Sequence, residues 1–129
     1  MRQARKLTFI SSAMGAPEFT LRGHIWLECE RGLEIGPGRA ALLEQIHDLG
    51  SIRKAADALG LTYRQAWARV KAMNTSADCQ LVQRTSGGVN GGGASLTKQG
   101  QSILEAFQQQ DQRFQNYLLE EIATRKNDE

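Results

Sequence analysis

The side chains best equipped for chemistry cluster in residues 62–71: Thr62, Tyr63, Arg64, Gln65, Arg69 and Lys71, with Arg53 and Lys54 shortly before them. An arginine can hold guanine through two parallel N–H bonds, and a glutamine can pair with adenine. On a helix, about 100° per residue puts Arg64, Ala68 and Lys71 on one face, with Gln65 at its border. Such a face fits the DNA major groove, where the first residues of the helix meet base edges. Thr62 and Tyr63 at the helix start would reach phosphates. Arg53, Lys54, Arg69 and Lys71 suit the phosphate backbone, which positions a protein without carrying sequence information. The alternative is a helix pair serving only as core or as a protein interface.

A reading helix needs a support that fixes its angle. Gly50–Asn74, GSIRKAADALGLTYRQAWARVKAMN, supplies two short helices joined by a glycine turn, the layout of a helix-turn-helix. Ser51 caps the first helix, Ile52–Leu59, Gly60 allows the left-handed turn, and Thr62 caps the second, Tyr63–Asn74. Ala55 and Ala56 let the backbones approach. Ile52, Ala56 and Leu59 face inward, Leu61 plugs the turn, and Ala66, Val70 and Met73 form the inward stripe of the second helix. Trp67, on the flank of that stripe, is expected to pack rather than stack on a base.

Charge is distributed to match. The 129 residues carry a net charge of only +2, but residues 52–100 hold seven Lys or Arg against two acids. Residues 23–51 and 101–129 are net acidic, and residues 1–22 net basic. This is the footprint of a nucleic-acid binder, although a mixed solvated surface would also account for it.

Other chemistries find little support. Cys29 and Cys79 are far apart in sequence, and with His24 and His47 they show no metal-ligand spacing, so no metal or cofactor is expected. Two thiols beside a basic reader suit a reducing cytoplasm. No nucleophile elbow or HExxH motif is present, so an enzyme is not expected. The glycine loop Thr85–Gly93, TSGGVNGGG, has Gly88 and Gly93 at P-loop separation, but Ala94 stands where the lysine is required. Two readings of the loop remain. It is either a wing tip whose glycines Gly87, Gly88, Gly91 and Gly92, with Asn90, approach a sugar–phosphate backbone above Arg84 and Lys98, or a plain hairpin loop. No apolar run is long enough to span a membrane.

The remaining elements follow from periodicity. Residues 1–17 read as a flexible basic arm. Residues 18–36 read as a hairpin, with strands at Phe19–Glu28 and Leu33–Ile35 and a bulge at Gly23. Arg39–Leu49 is an amphipathic helix. Gln80–Arg84 and Ala94–Thr97 are strands flanking the glycine loop. Thr97 caps a long helix over Lys98–Ala123, whose apolar seam holds Ile103, Leu104, Phe107, Phe114, Leu118 and Ile122 at spacings mostly of three and four. Gln110 and Asp111 interrupt that seam. It is expected to dimerise the chain, the alternative being packing against its own domain. The fold class is mainly α with small β elements: a winged helix-turn-helix over 18–100 and a dimerisation helix and tail over 101–129.

Residues Leu21–Ile122 resemble the N-terminal domain of the ModE family of molybdate-responsive transcription regulators, whose winged helix is similar to that of LysR-type regulators. The resemblance rests on Gly50-Ser51-Ile52, TYRQAW at Thr62–Trp67, Met73-Asn74, Leu81-Val82, and above all TSGGVNGGGASLTKQG at Thr85–Gly100. It implies a homodimer formed through the long helix, double-stranded DNA as partner, and control of molybdate transport or molybdoenzyme genes. It carries Thr62–Gln65 and the wing Gly87–Gly93 as DNA contacts. Val89-Asn90 stand where the family often has a basic residue. Family members bind molybdate in further C-terminal β-domains. The chain is expected to be a stand-alone or truncated form that binds no small-molecule effector itself. A winged-helix adaptor that has lost DNA binding is the competing expectation.

Overall fold

The computed structural model describes residues 7–10, 18–85 and 93–128. Helix α1, Pro37–Leu49, starts two residues before the expected Arg39, because proline suits the first helical turn. It ends at Gly50, whose N–H donates to the Ile46 carbonyl at 2.8 Å. Helix α2, Ile52–Leu59, is capped by the Ser51 hydroxyl, which accepts from the Lys54 N–H at 3.1 Å. Gly60 then takes φ +69°, a left-handed conformation that L side chains rarely adopt, and the chain turns into α3.

Helix α3, Tyr63–Ala77, runs three residues past the expected Asn74. Its stop is Asp78 at φ 54°, in place of the glycine that marks most such ends. Thr62 and Gln65 close its start reciprocally. The Thr62 hydroxyl accepts from the Gln65 N–H at 3.0 Å, and the Gln65 Oε1 accepts from the Thr62 N–H at 2.9 Å.

Among the described residues, six strands form three antiparallel pairs. β1, Leu7–Ile10, pairs with β2, Glu18–Leu21, in the register Leu7↔Leu21 through Ile10↔Glu18. This corrects the sequence reading, which placed Leu7–Ile10 in a flexible arm; four residues are too few for a period of two to stand out. β3, Leu27–Glu28, pairs with β4, Glu34–Ile35. The long expected strand Phe19–Glu28 is therefore split. The break has a packing cause: a Cβ on Gly23 would lie 2.7 Å from the Phe114 ring, so the chain presses onto the last helix there. β5, Val82–Thr85, pairs with β6, Gly93–Leu96, and the loop between them lies outside the described residues.

Helix α4, Lys98–Asp128, extends beyond the expected Ala123. Thr97 caps it, as the sequence suggested, by accepting from the Gly100 N–H at 3.1 Å. One core joins the four helices with β4, β5 and β6. Leu42, Leu43, Ile46, Ala55, Ala66, Val70, Met73 and Leu81 are fully buried, and Leu104 and Phe107 close it from α4. β6 is tied into the same unit by the Ala94 N–H, which donates to the Gly50 carbonyl at 2.9 Å.

Candidate nucleic-acid interface

The inward stripe of α3 is as expected: Ala66, Val70 and Met73 show no exposed surface. Burying that stripe turns Arg64, Gln65, Ala68, Arg69, Lys71 and Ala72 to the outside. The reading face is therefore held by α1 and α2 beneath it, and its angle is set by the Gly60 turn.

The capping box alters the reading of two residues. The Thr62 hydroxyl and the Gln65 carbonyl oxygen both satisfy orphan N–H groups of the helix start. Bidentate pairing of Gln65 with adenine needs Oε1 as an acceptor, the atom already engaged. Gln65 keeps its two Nε2 protons for donation. Its first role is to fix where α3 begins.

Beside the reading face, the fold assembles a cluster from three elements. Tyr63, Trp67 and Lys71 follow one another at i, i+4 and i+8 on α3, so they form one stripe. The Arg53 guanidinium from α2 lies 4.6 Å from the Tyr63 ring centroid. Arg84 from β5 lies 4.4 Å from the Trp67 ring centroid, and its Nη2 donates to the Tyr63 hydroxyl at 3.3 Å. The Lys71 ammonium lies 5.6 Å from the Trp67 ring. Each such contact at an exposed site is worth about 0.5–1 kcal/mol, enough to bias rotamers without immobilising them. Trp67 also packs on the core, as the sequence suggested, but its outer surface has this second use. The Tyr-x-x-x-Trp-x-x-x-Lys spacing was the available signal.

Other expected contacts lie elsewhere. Lys98 does not join the ring cluster. It lines an apolar cavity of about 380 Å³ with Cys29, Leu33, Ala77, Cys79 and Ile103. The two cysteines, remote in sequence, thus open onto one cavity, and both are exposed free thiols. No group of three or more metal-ligating side chains occurs among the described residues. Arg69 lines an open cleft of about 530 Å³ with Trp26, Glu34, Arg39 and Ser76. Lys54 is exposed on α2. Gly87, Gly88, Asn90, Gly91 and Gly92 lie outside the described residues, as does the side chain of Ile122.

Asn74 is a residue whose role the sequence did not reveal. Its Oδ1 accepts from the N–H groups of Leu81 at 2.8 Å and Val82 at 3.3 Å, and its Nδ2 donates to the Val82 carbonyl at 3.3 Å. One side chain thereby fastens the end of α3 to the strand that carries Arg84.

Much of the apolar seam of α4 is engaged within the chain itself. Leu104 and Phe107 face the chain's own core, and Leu118 is buried too. Ile103 packs partly against that core, and Phe114 is half-buried beneath Gly23. These side chains do not form a free stripe; the monomer covers most of them. Among the described side chains of α4, the exposed large apolar ones are Tyr117 and Leu119, with Phe114 stacked on Tyr117 at 6.5 Å between ring centroids. Asp111 is half-buried, and its Oδ1 accepts from Gln115 Nε2 at 3.4 Å. No helix among the described residues is long and apolar enough to cross a membrane.

Residues 39–101 match the family model described as the bacterial regulatory helix-turn-helix protein, lysR family. The chain is 40% identical to the transcriptional regulator ModE of Yersinia pestis over 81 residues, covering 63% of this chain and 31% of that protein. It is 37% identical to the DNA-binding transcriptional dual regulator ModE of Escherichia coli (strain K12) over 81 residues, with the same two coverages of 63% and 31%. It is 34% identical to the molybdenum transport protein ModE of Azotobacter vinelandii over 102 residues, 79% of this chain and 37% of that protein. The chain spans about a third of the length of these curated relatives. The matched span runs from α1 through both helices of the turn and the β5–β6 pair to the first residues of α4, so the similarity to lysR-family helix-turn-helix domains covers the elements that carry the reading face.

Proposed function

We propose that this chain is a transcription regulator that binds duplex DNA sequence-specifically as a homodimer, and that its targets are genes of molybdate transport or molybdoenzymes. The observation that carries the DNA part is the arrangement around α3: an outward face with Arg64, Gln65 and Ala68, bordered by Arg53, Lys71 and Arg84 from three elements. Arg64 is the base reader in this account. Arg53, Lys54, Arg69, Lys71 and Arg84 neutralise phosphates, and the β5–β6 loop follows the backbone. The molybdenum link rests on the names of the relatives alone. Homodimerisation through α4 would use the exposed Tyr117 and Leu119.

Selection from a random duplex pool tests the proposal. The expected winner is a palindrome with half-sites about one helical turn apart. Arg64→Ala should cost about 1–3 kcal/mol and relax one base position, whereas Lys71→Ala should weaken all sequences alike and lower the salt slope by about 1. Binding that ignores salt between low and moderate ionic strength would refute the account. No affinity for any duplex would instead favour a protein-interaction adaptor.

A further inference from the structure

Basic side chains on a binding surface are usually held in place by carboxylates, which also cancel their charge. Among the described residues, Arg53, Lys71 and Arg84 pair with no carboxylate; an ion pair seen there, Arg31–Asp78 at 3.7 Å, lies elsewhere. Two aromatic rings orient them instead. A ring face attracts a cation through its quadrupole and leaves the full positive charge available to an anion. All three cations are gathered around two rings one helical turn apart.

We infer that Tyr63 and Trp67 are positioning residues that hold Arg53, Arg84 and Lys71 as a preformed clamp for duplex phosphates. The inference rests on the duplex-binding reading above and adds to it a division of labour. Exposed rings in a basic patch commonly stack on the bases of single strands. Here Arg53 lies over the Tyr63 ring and Arg84 over the Trp67 ring. The rings therefore serve the cations, and the clamp favours a duplex backbone over unpaired bases. Arg84 is the centre of the device, because it meets both aromatic residues: the Trp67 ring and the Tyr63 hydroxyl.

The test measures affinity of the full chain for three probes: the pool-selected duplex, a random duplex, and one strand of the selected duplex. Each is titrated at several salt concentrations with wild type, Arg84→Ala, Arg84→Lys, Trp67→Phe, Trp67→Leu, and Arg84→Ala combined with Trp67→Leu. Arg84→Lys keeps the charge but loses the planar group that lies over the ring. It should weaken both duplexes by the same factor, about two- to fivefold, close to the loss from Arg84→Ala. Trp67→Leu should cost a similar factor, Trp67→Phe should restore most of it, and the double variant should be no worse than Arg84→Ala alone. Arg84→Lys sits on an exposed side chain, so the test survives if Trp67→Leu does not fold.

Three results would overturn the inference while leaving DNA binding intact. They are an Arg84→Lys variant as good as wild type, fully additive losses in the double variant, and a Trp67→Leu defect larger on the single strand than on the duplex. A wild-type chain without duplex affinity would remove both readings together.

Discussion

Asn74→Ala should be among the most damaging single substitutions at a partly exposed site of this chain. The Asn74 carboxamide makes three hydrogen bonds to Leu81 and Val82 where the chain enters β5, and one of its donors, the Leu81 N–H at 2.8 Å, belongs to a residue with no exposed surface. An alanine leaves that amide buried without a partner, which costs about 1–3 kcal/mol. The two longer bonds, each 3.3 Å, add about 0.5–1 kcal/mol apiece at most. Against this stands a gain of up to about 0.7 kcal/mol from the better helix propensity of alanine. The balance is a loss of about 2–3 kcal/mol, which lowers the melting temperature of a chain of this size by roughly 8–15 °C.

Thermal and urea unfolding followed by circular dichroism would measure it. Asn74→Asp is the informative control: it keeps an acceptor for the Leu81 and Val82 N–H groups and loses only the donor to the Val82 carbonyl, so it should cost less than alanine. Amide exchange gives the local readout, with the Leu81 N–H exchanging far faster in the alanine variant while the Val70 N–H inside α3 falls only by the global loss. An alanine variant within about 0.5 kcal/mol of wild type would show that the β5–β6 pair holds its place without this side chain, and the reasoning would fail.

Four further outcomes follow. Gly100→Ala would drive a Cβ into the Leu81 carbonyl group at the start of α4, and overpacking of that kind costs about 1–3 kcal/mol, measurable by urea unfolding. Thr62→Ala removes one half of the α3 capping box and should cost about 1 kcal/mol, while Gln65→Glu, which keeps an acceptor for the Thr62 N–H, should unfold close to wild type. Tyr117→Glu places a charge on the exposed apolar surface of α4 and should shift sedimentation toward monomer without changing the circular dichroism spectrum of the folded chain, since Tyr117 is 55% exposed. Cys29 and Cys79, both exposed, should react completely with a thiol reagent in the folded protein, as read by mass spectrometry.

The helices were legible because their apolar spacing and their punctuation agree: Ser51, Gly60, Thr62 and Thr97 stand where a cap or turn is needed, and each plays that part in the fold. The end of α3 was not legible, because Asp78 adopts the left-handed conformation without the glycine that announces it. The pairing of Leu27–Glu28 with Glu34–Ile35 fell within the expected hairpin, but the β1–β2 pair and the break in the long strand were missed for a related reason. Strands of two and four residues carry almost no periodicity, and the break between β2 and β3 falls where Gly23 packs on α4. The candidate site divides in the same way. Residues exposed by helical geometry, such as Arg64 and Ala68, could be assigned by counting. Arg84 over Trp67 could not, because it depends on where β5 returns against α3.

That return is itself fixed by few contacts, and this bears on how the reader is built. β5 carries Arg84 and is fastened to α3 by Asn74, while the far end of the same pair is held by Ala94 N–H on the Gly50 carbonyl at the end of α1. The Thr97 hydroxyl adds a bond of 2.6 Å to the Gln80 carbonyl just before β5. The hairpin is therefore anchored at its root to the end of α3 and, at Ala94 across from Arg84, to the residue that precedes the helix-turn-helix, so Arg84 lies between two anchors. A cation placed there moves with α3 rather than with the loop beyond. Loosening the root should thus displace Arg84 from Trp67 even though no residue of the clamp has changed. Asn74→Ala should then weaken duplex binding at temperatures where the fold is still intact, and by the same factor for selected and random sequences, because the lost contact is to phosphate and not to bases. A fully folded Asn74→Ala variant with wild-type affinity would mean that the ring cluster holds its own geometry and that the root anchor serves stability alone.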